Sequence, residues 1–149
     1  VVEEMRRLNR IFTKKGLRAL LFRCKEESGL AYVYRPELLR KVLAEPLAAV
    51  ILKEEGYPAG NVDVCLTRLA KRLCENRNFP HEIGLFLGYP PEDVRAFMLN
   101  PSEGVKFTGY WKAYNNVERA KKICSNYRKC TNAFCKAISN GQTLEQLIA

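Results

Sequence analysis

Apolar residues recur every three or four positions through most of this chain, and the spacing tightens towards alternation in only a few short runs. Residues 1–15 put Val1, Met5, Leu8 and Phe12 on one face of a helix, with Arg6, Arg10 and Lys14 roughly opposite. Lys14 and Lys15 complement the negative end of that helix dipole, and Gly16 supplies the stop. Leu17–Cys24 and Leu30–Arg35 are short β-branched or aromatic runs joined by Lys25-Glu26-Glu27-Ser28-Gly29, which predicts a β-hairpin. Pro36 then opens a helix with Leu38, Leu39, Val42 and Leu43 at helical spacing.

Pro46 starts a further short helix with Leu47, Val50 and Ile51 directed inward. Gly56-Tyr57-Pro58-Ala59-Gly60 is the clearest loop signal. Val62–Arg77 carries Cys65, Leu66, Leu69 and Leu73 on one helical face. Pro80–Leu87 and Pro91–Leu99 read as a tight helical pair separated by Gly88-Tyr89-Pro90, and Val105–Trp111 as a third strand. Asn116–Ser139 is the longest helix, closed by Gly141, and Thr143 is placed to cap a final short one. The expected fold is therefore α+β: one helix-dominated domain over residues 1–149, with a small two- or three-stranded antiparallel sheet.

Composition sharpens this in three respects. With 47% hydrophobic residues, a chain of 149 has enough apolar material for a core without covalent staples. The longest uncharged apolar stretch, Leu47 to Leu52, is far short of the ~20 residues a membrane span needs, so no membrane partner is expected. The start, Val1-Val2-Glu3-Glu4-Met5-Arg6-Arg7, has no apolar signal run and reads as a helix already under way. The six cysteines, without an export signal, are expected to be reduced and buried in a cytoplasmic protein.

Charge changes the picture most. The formal charge is +9 and uneven. Residues 1–25 carry eight Lys/Arg against two Glu, a net +6, and residues 106–136 carry eight against Glu118, a net +7. The intervening segment is slightly acidic. Such asymmetry points to an anionic partner. On the helix 116–139, Val117, Ala120, Ile123, Tyr127, Cys130, Phe134 and Ile138 form one apolar stripe. Arg119, Lys122, Asn126, Lys129 and Lys136 run along the far side, flanked by Lys121 and Arg128. A row of cations at steps of three and four can track a phosphate backbone, with Asn126 adding neutral hydrogen bonds. Tyr110, Trp111 and Tyr114 beside Lys106 and Lys112 read equally as a base-stacking cluster and as core aromatics with snorkelling lysines.

Catalytic chemistry has little to start from. No cysteine pair has close metal-ligand spacing, so neither a metal site nor a cofactor is expected. His81-Glu82 is the one pairing of a general base with a carboxylate, but neighbours on a helix point about 100° apart. There is no nucleophile elbow and no glycine-rich phosphate loop. Asn78, Pro80 and Glu82 suit an ordinary helix start. Gly84 and Gly88 signal close backbone packing or a helix end.

Phe79-Pro80-His81-Glu82-Ile83-Gly84-Leu85-Phe86-Leu87-Gly88-Tyr89-Pro90, followed by Pro91-Glu92-Asp93-Val94, resembles the signature of a bacterial family of uncharacterised cytoplasmic proteins. Ala31–Pro36, Gly109–Lys112 and Tyr127–Cys130 resemble that family's pattern too, so the likeness covers almost the whole chain. It implies a shared fold, an additional amino-terminal segment in relatives, and no established activity. Tyr114-Asn115-Asn116 departs from the pattern, where relatives carry a more acidic turn.

The leading expectation is a non-catalytic basic protein that engages nucleic acid or a nucleoprotein. Its binding residues would be Arg6, Arg10, Lys14, Lys112, Arg119, Lys122, Asn126, Lys129 and Lys136. A mobile-element inhibitor of an RNA-guided nuclease is one form this would take. Two alternatives stay open: a redox or metabolic accessory protein or enzyme centred on His81 and Glu82, and a docking module for an acidic protein.

Overall fold

A computed structural model describes residues 2–24, 29–75 and 78–148. Helix α1 (Val2–Lys14) opens with Glu3 and Glu4 and ends on Lys14, charges that suit the two ends of its dipole. Phe12 is buried, while Arg6, Arg10 and Lys14 are exposed. Val1, assigned above to the apolar face, lies outside the described residues. Strands β1 (Arg18–Cys24) and β2 (Gly29–Tyr34) pair antiparallel from Arg18↔Tyr34 to Cys24↔Gly29, with a bulge between Leu21 and Arg23. The expected connecting turn at residues 25–28 lies outside the description. Asn9 of α1 clamps the outer edge of β1: its amide nitrogen donates to the Ala19 carbonyl at 2.7 Å, and its oxygen accepts from the Ala19 N–H at 2.8 Å.

Period-two alternation puts Tyr32 and Tyr34 on one face of β2, and the Tyr32 ring stacks between those of Phe22 and Tyr34 with centroids 5.1 Å from each. The Tyr32 hydroxyl donates to the Phe86 carbonyl, tying the hairpin to a helix far along the sequence. Helices α2 (Pro36–Leu43) and α3 (Pro46–Glu54) each begin on proline, whose fixed φ suits the first turn. Leu39, Leu43, Ala48, Ile51 and Leu52 are buried. Leu38 and Val50, read as inward-facing, are exposed, because a helix of eight or nine residues buries only a narrow stripe. Helix α4 (Val62–Cys74) is capped by Asn61, whose side chain accepts the Val64 N–H. It ends at Cys74, short of the expected limit, and residue 77 lies outside the description.

The expected helix over 80–87 narrows to one turn, α5 (Ile83–Phe86). Pro80 and His81 close the approach as a turn, with Ile83 and Gly84 donating back to their carbonyls. Helix α6 (Pro91–Leu99) follows. Gly84 permits close approach there: a Cβ at this position would sit 2.9 Å from Val94 Cγ2 and 3.2 Å from the Tyr89 ring.

The chain divides into two compact units, residues 1–95 and 96–149. In the second, the strand expected over 105–111 is instead a minimal hairpin, β3 (Phe107–Thr108) with β4 (Lys112–Ala113). It forms its own two-stranded sheet and does not extend the first, so the α+β fold has two small antiparallel sheets. Helix α7 (Val117–Ser139) is capped by Asn116, and a capping box of Thr143 with Gln146 starts α8 (Leu144–Leu147). Among the described residues no helix is long and apolar enough to cross a membrane.

Candidate functional site

Two constellations stand out, one in each unit, and they are built on opposite electrostatic rules. In the first unit, α3 ends in a Schellman motif. Gly56, at φ +79°, lets its own N–H reach Lys53 O and the Tyr57 N–H reach Leu52 O. That turn drives Tyr57 into the interior, although it sits in a sequence that reads as a loop. Its hydroxyl donates to Glu82 Oε1 at 2.7 Å. Arg72, from α4, reaches the same oxygen at 2.9 Å and also contacts the Glu55 carboxylate at 3.0 Å and the Glu55 carbonyl at 3.2 Å. The guanidinium lies 5.9 Å from the centroid of the Tyr57 ring.

Glu82 is only 1% exposed, so this carboxylate is affordable only because it is paired and hydrogen-bonded. Burial, then the bond to Glu82 and the charge on it, hold the Tyr57 hydroxyl well above the usual tyrosine range. For Arg72, burial opposes the charge, but the Glu55 bond and the carboxylates of Glu82 and Glu55 outweigh it and raise its pKa. No buried side-chain nitrogen or oxygen among the described residues lacks a partner. Arg72 and Glu55 also line a polar depression of about 330 Å³ with Glu54, Arg68, Glu75 and Asn78.

His81 and Glu82, adjacent in sequence, part company here. His81 is exposed, its ring 5.4 Å from that of Phe79, while Glu82 turns inward to Arg72 and Tyr57. The Glu82 carboxylate therefore acts as the keystone of α4, α5 and the 56–60 loop. Its partners Tyr57 and Arg72, and Glu55, which holds Arg72, were not singled out from sequence. The one usable signal was a tyrosine directly after a helix-stopping glycine, where a side chain commonly packs back on the helix.

The second unit presents the opposite case. The first half of α7 is covered: Ala120 and Cys124 are buried, and a Cβ on Gly109 would fall 2.7 Å from Cys124 Sγ. The β3–β4 turn thus lies directly on this half of the helix. Beyond Cys124 the same apolar stripe emerges. Tyr127, Phe134 and Ile138 are 36%, 42% and 58% exposed, and Cys130 and Cys135 are exposed as well. Tyr127 meets the exposed Tyr110 edge to face at 5.5 Å. Burial, with a smaller push from Cys124, raises the Tyr127 hydroxyl above its ordinary range.

Arg119, Lys121, Lys122, Arg128, Lys129 and Lys136 are all exposed, as is Asn126. Residues 119–144 contain no Asp or Glu, and the ion pair formed among these six cations is Lys121 with Glu118 at 3.4 Å. Lys112 differs from the rest. Its ammonium donates to the Pro101 carbonyl at 3.1 Å and lies 5.9 Å from the Phe97 ring. Trp111 and Tyr114 are buried, the Tyr114 hydroxyl donating to the same Pro101 carbonyl, so of that aromatic cluster Tyr110 alone is presented to solvent. On α1, in the first unit, Arg6 lies 3.5 Å from Glu3.

The cysteines divide differently from the expectation of burial. Cys65 and Cys124 are buried, but Cys74, Cys130 and Cys135 are exposed; the Cys24 side chain lies outside the description. Cys65 donates to the Pro58 carbonyl and Cys74 to that of Phe22, so the two thiols of α4 serve different neighbours. Among the described residues no three His, Cys, Asp or Glu side chains converge to hold a metal ion.

A family model described as a protein of unknown function, DUF3793, matches residues 1–148. The chain belongs to the DUF3793 family. Neither the curated proteins nor the solved structures gave a significant match. Membership in this family groups the chain by sequence and brings no activity with it.

Proposed function

We propose that this protein is a non-catalytic binding protein that engages nucleic acid, or a nucleoprotein through its nucleic acid, along the cationic side of α7. The observation that carries this reading is the unneutralised charge of that helix. Six exposed cations occur between residues 119 and 144 without one carboxylate among them. An ordinary solvated helix laces its charges with opposite partners at three and four residues. Among the described residues the helix leaves five of its six cations without an ion pair, at the cost of mutual repulsion; a polyanion's phosphates relieve that repulsion and release their counterions on binding. Arg6, Arg10 and Lys14 of α1 form a second, weaker basic strip that adds to long-range attraction. The exposed thiols of Cys74, Cys130 and Cys135 suit a reducing, cytoplasmic setting.

The test is a binding assay with labelled DNA and RNA at low salt, comparing the parent protein with an Arg119→Glu, Lys122→Glu, Lys129→Glu triple variant. Binding by the parent and its loss in the variant supports the reading. Equal behaviour of the two proteins, or no binding by the parent, rejects it.

A further inference from the structure

We infer that the outer half of α7 selects single-stranded over duplex nucleic acid, its exposed aromatic rings stacking on unpaired bases while Arg128 and the cations further round the helix hold the phosphates. This rests on the nucleic-acid reading above and narrows it to a substrate class. The starting point is an anomaly of burial. The stripe of α7 is continuous in sequence, yet it is covered only as far as Cys124 and bare beyond it. An amphipathic helix with half its apolar face in water carries a cost that packing inside the unit does not repay.

What is bare is also chemically distinctive. Tyr110, Tyr127 and Phe134 present three aromatic rings to solvent, with Tyr110 and Tyr127 already in contact. Tyr127 and Phe134 are seven residues apart, so they lie on nearly the same side of the helix, about 10 Å along its axis. Arg128 follows Tyr127 directly and borders the aromatic side about 100° around the helix, with Lys129 and Lys136 further round. Charge complementarity then chooses the occupant. The stripe itself holds no charge, and the charge that borders its aromatic part on the helix is Arg128, with Lys129 and Lys136 on the far side, so the partner must be apolar in part and carry anions that reach around the helix. A single strand meets both demands in one molecule, since every base has a π-face and every linkage a phosphate. A duplex hides its base faces and offers phosphates alone.

The experiment measures affinity for fluorescein-labelled oligo-dT, oligo-U, and the same oligo-dT annealed to oligo-dA, using the parent, Tyr127→Leu, Phe134→Leu and Phe134→Trp. Leucine keeps the site apolar and removes the ring, while tryptophan keeps a ring. The expected result is tighter binding to the strands than to the duplex, a loss of roughly fivefold or more for each leucine variant on the strands, and retention in Phe134→Trp. Duplex binding should barely change in any variant. The oligo-dT and oligo-U arms distinguish DNA from RNA as the source of the strand. Equal affinity for strand and duplex, with the leucine variants unaffected, overturns the inference and leaves the phosphate reading standing. Absence of binding to all three probes overturns both, and leaves the bare stripe to a protein partner.

Discussion

Glu82 and Lys129 are both charged side chains on helical segments, and they obey opposite rules. Around Glu82 the first unit gathers what a buried carboxylate requires, a guanidinium and a phenol, and the guanidinium is held in turn by Glu55. Around Lys129 the second unit gathers nothing; its neighbours along α7 are other cations or uncharged residues in water. Charge that is matched inside a protein is matched for folding, because an unpaired buried ion is prohibitively costly. Charge left unmatched on a surface costs little in folding and is free for something outside the molecule. The contrast separates a structural constellation from a candidate binding one.

The comparison breaks most visibly at Glu82. Replacing Glu82 by Ala leaves the buried Tyr57 hydroxyl without its acceptor and Arg72 with Glu55 alone, and stability should fall by about 3 kcal/mol in urea denaturation. The triple replacement Tyr57→Phe, Arg72→Met and Glu82→Leu should recover much of that loss, since it leaves none of the three buried polar groups without a partner. A small loss for Glu82→Ala would mean that the network is incidental. Next in size, the Arg119, Lys122, Lys129 charge reversal should weaken nucleic-acid binding about a hundredfold while shifting stability by no more than ~0.5 kcal/mol per site. A stability loss matching that at Glu82 would erase the distinction between the two regions.

Tyr57→Phe removes the phenol hydroxyl from Glu82 and should cost about 1–3 kcal/mol, with nucleic-acid affinity unchanged. Phe134→Ser should leave the melting temperature almost unmoved, whereas Leu69→Ala, at a fully buried position, should cost about 2–5 kcal/mol. The smallest effect concerns Glu54, whose carboxyl is held below its usual range chiefly by the hydrogen bond from Arg95. A lowered folded-state pKa stabilises fully above the ordinary carboxylate value, and that contribution fades as pH falls through the lowered one. Glu54→Gln should therefore cost a little stability at neutral pH and converge with the parent protein at acid pH, which flattens the acid limb of the stability curve slightly.

Much of the scaffold was legible because its signals are local. Pro36 and Pro46 start helices, Asn116 and Thr143 cap them, and Gly16, Gly56 and Gly141 end them, each through the conformation of a few consecutive residues. The cationic row of α7 was legible for the same reason, as helical spacing alone places Arg119, Lys122 and Lys129 in line. The Glu82 network was not. It joins residues 55, 57, 72 and 82, and apart from the helix-stopping glycine before it nothing local marks Tyr57 as buried. Periodicity also misjudged the end of α7. It identifies an apolar stripe but not whether anything covers it, so Phe134 and Ile138 read as core. Val105–Trp111 read as one strand because Gly109 lies within an otherwise β-favouring run, where it turns the chain between β3 and β4.

The central claim, that the bare cations of α7 are a phosphate-binding surface, is tested most directly by the salt dependence of binding to a short single strand. If most of the six cations engage phosphates, the logarithm of the association constant should fall linearly with the logarithm of salt, with a slope of roughly −3 to −4. The triple charge-reversal variant should show a much flatter line. No binding at low salt, or binding indifferent to salt, would contradict the claim.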